Sequence, residues 1–97
     1  MQTREELEQL EELRVAAARA VKKLSLIRDR VESNLVELGQ VETNPAQRGR
    51  LFDALATALS LLDEELYQAK EHLSDVEMDQ EIVRKRLELG EREQEEG

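Results

Sequence analysis

Apolar residues return along the first half of the chain by alternating steps of three and four: Leu10, Leu13, Ala17, Ala20, Leu24, Ile27 and Val31, then Asn34, Leu38 and Val41. Nine of these ten positions are apolar, the heptad signature of a helix whose stripe faces another helix. The second half repeats the pattern through Phe52, Leu55, Leu59, Leu62, Leu66, Ala69, Leu73, Val76, Gln80, Val83 and Leu87, with Gln80 the one polar member.

Between the two runs lies GQVETNPAQRGR, residues 39–50, holding the only proline and two of the four glycines. Thr3 and Glu6 have the spacing of a capping box that opens the first helix. Gly39 predicts a left-handed cap at its end, and Asn44-Pro45 predicts a restart, Asn accepting from free N–H groups and Pro fitting the first helical position. The expected fold is all-α: an antiparallel coiled-coil hairpin in a single domain spanning 1–97. Helix 1 covers about 4–40, the bend about 39–45 and helix 2 about 45–89, with an acidic frayed tail over 90–97.

A hairpin pairs residues whose numbers sum to about 90, an antiparallel register in which both stripes stay in phase. Leu38 then meets Phe52, Val31 meets Leu59, and Ala20 meets Ala69 at a close waist. Charge agrees with this register. The basic span from Arg14 to Arg30 falls opposite Asp63, Glu64, Glu65, Glu71 and Asp75, and the acids of Glu5 to Glu12 fall opposite Arg84, Lys85 and Arg86. Arg28 with Asp63, Arg14 with Glu77 and Lys23 with Glu65 are the expected flanking pairs; each exposed pair stabilises by only ~0.2–1 kcal/mol but helps specify direction.

Two helices hide one narrow stripe, yet Leu35, Val36, Leu51, Ala54, Ala58 and Leu61 stand off it, all toward the bend. The run from Leu51 to Leu62 is apolar around most of its circumference, so it is expected to bury more than one face. With Phe52, these residues form the candidate interface, in which Leu35, Val36, Leu51, Phe52 and Leu61 are the anchors. Its occupant is either a second copy, giving a homodimeric four-helix bundle, or a helix of a different protein.

Composition narrows the chemistry. A chain of 97 residues has a high surface-to-volume ratio, which assembly would relieve. It has no cysteine, hence no disulfide or thiolate metal site. The net charge of −9 disfavours generic nucleic-acid and anionic-lipid binding. The acidic first residues carry no leader pattern, and no apolar stretch approaches the ~20 residues that span a bilayer, so a soluble cytoplasmic protein without membrane contact is expected.

The single imidazole, His72, lies near Glu71 and Asp75 but lacks the Glu three residues before it that a di-metal bundle needs, because position 69 is Ala. It reads as a flank histidine. No catalytic, phosphate-binding or zinc motif occurs, so no catalytic, cofactor or metal residue is assigned and no enzyme is expected. Arg48 and Arg50 are a local basic exception, read as solubilising the tip or contacting an acidic partner or nucleic acid. Asn34 either fixes register as a seam amide or lies where the stripe drifts toward Leu35.

The functional expectation is a non-enzymatic protein–protein interaction module (adaptor, assembly factor or secretion-type chaperone) acting through the patch near the bend. The alternative is an acidic inhibitor that mimics nucleic acid, presenting Asp53, Asp63, Glu64, Glu71 and Asp75 to a basic groove. A bundle binding structured RNA would require the basic face of helix 1 to remain exposed.

Overall fold

The computed structural model describes residues 3–42 and 44–96, with side chains through residue 91. It is a helical hairpin of two elements, α1 (Arg4–Leu38) and α2 (Pro45–Glu96), with no strand among the described residues. The Thr3 hydroxyl accepts from the Glu6 N–H at 3.3 Å, and the Asn44 side chain accepts from the Ala46 N–H at 3.0 Å, so both helices start where the sequence places their caps.

The end of α1 differs from the expected left-handed glycine cap. No described glycine has a positive φ. The Gly39, Gln40 and Val41 N–H groups donate instead to the carbonyls of Val36, Glu37 and Leu38 at 3.2, 2.9 and 3.4 Å. These three-residue steps tighten the last turn and satisfy the terminal carbonyls without a left-handed residue. Arg48 then reaches back from the first turn of α2 to donate to the Val41 carbonyl, so it braces the bend rather than extending into solvent. Gly90, where the second helix was expected to stop, lies inside α2. A helical glycine costs only about 1 kcal/mol, which neighbouring helical residues can carry. Gly97, the end of the expected tail, lies outside the described residues.

The chain divides into two compact units, one of residues 1–19 with 70–97 and one of residues 20–69. In the first, Ala17, Val76, Gln80 and Val83 are buried, flanked by half-buried Leu7, Leu10, Leu73 and Leu87. In the second, which contains the bend, Leu66 is buried, and Val21, Leu24, Val31, Leu35, Leu38, Leu55, Leu59, Leu62 and Ala69 are half-buried.

For α2 this core is the stripe read from the sequence, apart from exposed Phe52. For α1 only half of that stripe holds. The shielded stripe is 7, 10, 14, 17, 21, 24, 28, 31, 35 and 38, also in alternating steps of three and four, with Glu6, Val15, Ala18 and Ser25 half-buried beside it. Leu13, Ala20, Ile27, Asn34 and Val41 are exposed; Ala17 is 6% exposed, but Leu13 is 51% and Ile27 47%. The expected waist of Ala20 on Ala69 is therefore absent. Arg14 and Arg28 occupy seam positions: their aliphatic stems lie along the apolar stripe while the guanidinium groups reach acids at its edge.

Candidate functional site

With α1 in this register, the bend-proximal unit has two unlike flanks. Writing the shielded positions as heptad a and d, residues 7, 14, 21, 28 and 35 are a in α1, and 52, 59, 66 and 73 are a in α2. In an antiparallel pair the g residues of both helices share one flank and the e residues share the other.

The e flank carries a charge network. Arg28 donates from Nε to Asp63 Oδ1 at 2.6 Å and from Nη1 to Glu32 Oε2 at 2.5 Å. Those two carboxylates make its guanidinium hold its proton more tightly than usual. The Arg28–Asp63 pair confirms the expected antiparallel level. Lys23 and Glu65, by contrast, form no ion pair among the described residues.

The g flank is apolar. In α1 its g positions are Ala20, Ile27 and Asn34, and in α2 they are Leu51 and Ala58 followed by Glu65; Ala54 and Leu61 adjoin them at c positions. Leu51 is 49% and Leu61 58% exposed, although the seam beside them is already filled by Leu55, Leu59 and Leu62. Leu26 and Ile27 line a shallow depression with Lys23 and Arg30 on the same helix.

The structure thus brings Leu51, Ala54, Ala58 and Leu61 together on one flank and adds Ile27, which the sequence had placed in the seam; Val41, also expected in the seam, is exposed in the bend beyond α1. It separates the remaining candidates. Leu35 lies half-buried in the seam between the helices. Val36 is exposed at a b position on the e side, in a depression with Asp29, Glu32, Ser33 and Glu37. Phe52 is at the seam edge and still exposed. Asn34 is exposed rather than buried, so it does not fix register in the seam.

A polar seam contact does exist, in the unit formed by the chain's two ends. Buried Gln80 donates from Nε2 to Glu11 Oε2 at 2.7 Å, while Arg14 grips both Glu11 oxygens at 2.6 and 2.9 Å. The Arg14 hydrogen bonds first and the Gln80 amide second hold the Glu11 carboxyl down at about 2, from an ordinary 4.5. Glu77 adds a weaker pull on Arg14, and Arg84 on Glu11. The signal in the sequence was the lone polar residue of the second stripe, since buried seam amides usually need a partner across the interface.

A carboxyl whose pKa is depressed by folding stabilises the fold above its unfolded pKa, and that contribution is lost as pH falls through the folded value. Glu11 should therefore support this unit fully above about pH 4.5 and progressively less toward pH 2. In a carboxyl NMR titration, Arg14→Ala is expected to return the Glu11 midpoint most of the way toward 4.5. An unchanged midpoint would contradict the pairing.

His72 is exposed, and among the described residues no group of three or more His, Cys, Asp or Glu is arranged to hold a metal ion. No described helix is long and apolar enough to cross a membrane. No family model matches the chain, and searches of curated proteins and of solved structures also found no match. The class the geometry defines is therefore architectural: an antiparallel helical hairpin with one charged flank and one apolar flank beside its bend.

Proposed function

We propose that this protein is a non-enzymatic protein–protein interaction module, an adaptor, assembly factor or secretion-type chaperone, that works through the apolar flank of its bend-proximal unit. The observation that carries this reading is the exposure of Leu51, Leu61 and Ile27 on one flank beside an already occupied seam. Apolar residues clustered beyond what a fold buries mark an interaction surface. The first occupant is a second copy, forming a homodimeric four-helix bundle in which each hairpin covers the other's flank. The absence of cysteine fits a reducing cytoplasmic setting.

Light scattering across a concentration series, at low and high salt, tests this reading. A mass of two chains that persists at high salt supports apolar assembly. A monomer at every concentration overturns self-assembly and leaves the flank to a different protein. Partner binding that collapses with salt would favour the acidic inhibitor, whose long-range charge is screened. The structure gives that alternative little support: Asp63 is engaged by Arg28, and Asp53, Glu64, Glu71 and Asp75 fall at b, f, f and c positions rather than along one line.

A further inference from the structure

The proposed self-assembly leaves open how two copies face one another, and the charges bordering the apolar flank select one arrangement. Arg28–Asp63 fixes which residues of α1 and α2 stand at the same level. Along the α1 border the signs run Lys23, Arg30, Glu37; along the α2 border, from the same end toward the bend, they run Glu65, Glu64, Arg50. All six are exposed, and none makes an ion pair with another described residue. Compared within one helical turn of ~5.4 Å rather than residue for residue, the two borders are opposite in sign, including the reversal beside the bend.

We infer, resting on the interaction-module reading, that the flank receives a second copy of this chain with both bends at the same end, α1 of each copy lying over α2 of the other. A two-fold axis parallel to the helices preserves every level. It brings Lys23 over the second copy's Glu65, Arg30 over its Glu64 and Glu37 over its Arg50, each within about one helical turn of 5.4 Å, and the symmetry repeats all three. The apolar residues then meet across the middle, with Leu61 near the level of Ile27 of α1 and Leu51 closer to the bend. The end-for-end alternative places α1 over α1 and sets Arg30 beside its own copy. Complementary borders specify orientation and register more than they add affinity.

Charge reversal tests the arrangement. At low salt, Lys23→Glu with Arg30→Glu, and separately Glu64→Lys with Glu65→Lys, are each expected to raise the dimer dissociation constant by at least about tenfold, because like charges then face one another twice. Mixing the two variants should restore the wild-type constant, since the mixed dimer regains opposite signs at both contacts. Circular dichroism should show unchanged helix content, all four positions being exposed. As a second set, Lys23→Gln with Arg30→Gln should flatten the salt dependence of dimerisation without introducing repulsion. A wild-type dimer whose constant is unmoved by either reversal would overturn this orientation while leaving the interaction module standing. A monomeric wild type would overturn both the orientation and the self-assembly beneath it.

Discussion

Replacing Leu51 and Leu61 together with glutamate is expected to weaken self-association roughly a thousandfold while the helices remain folded. Full burial of a leucine contributes about 1.5–3 kcal/mol. These two retain about half of their surface for an interface, at 49% and 58% exposed, so each contributes about 1 kcal/mol. A two-fold dimer contains four of them, giving about 4 kcal/mol at roughly 1.4 kcal/mol per tenfold. Glutamate is nearly as good a helix former as leucine, so the circular dichroism of the monomer should be close to wild type. Val36→Gln is the matched control. Val36 is the most exposed of the candidate anchors but stands among the acids of the opposite flank, and its replacement should leave the mass unchanged. Equal loss in both variants would mean that the interface wraps the bend from both sides. No loss in either would remove this surface as an interface.

That contrast comes from a distinction the sequence obscures. In α2 the apolar stripe was legible nearly residue by residue, because Leu55, Leu59, Leu62, Leu66 and their successors have no comparably apolar stripe along the whole helix to compete with them. In α1 two adjacent heptad stripes compete for the place beside 10, 17, 24, 31 and 38. One reads Leu13, Ala20, Ile27, Asn34, Val41 and the other Leu7, Arg14, Val21, Arg28, Leu35. Apolarity alone favours the first. The fold uses the second, because arginine stems lie along an apolar seam while their heads find Glu11 and Asp63. The choice leaves Ile27 facing outward, joining it to Leu51 and Leu61. The position of the patch near the bend was thus readable, but its composition depended on a rotation of one helix by a single residue. Gln80 was missed for a related reason: a polar residue in an apolar stripe has a role only through its partner, and Glu11 is 69 residues away.

The register of α1 makes the opposite forecast from simple periodicity at two adjacent residues, which makes it decisive to test. Counting apolar steps puts Ala20 in the seam and Val21 outside it; the structure exposes Ala20 and half-buries Val21 between the helices. Valine and aspartate have nearly equal helix propensity, so a larger loss at Val21 comes from burial alone, whereas Ala to Asp costs below about 1 kcal/mol in propensity. Ala20→Asp should lose little more than that. Val21→Asp forfeits the valine's apolar contact and drives a carboxylate toward an apolar seam, where transfer without a partner costs a few kcal/mol. Its total loss should be about 2–3 kcal/mol, a fall in Tm of roughly 10 °C or more for a chain of this size. Both must be measured at one protein concentration, since assembly shifts apparent stability by mass action. If Ala20→Asp proved the more damaging, α1 would be rotated back toward Leu13 and Ile27, those two would return to the core, and the apolar flank would shrink to the residues of α2 alone.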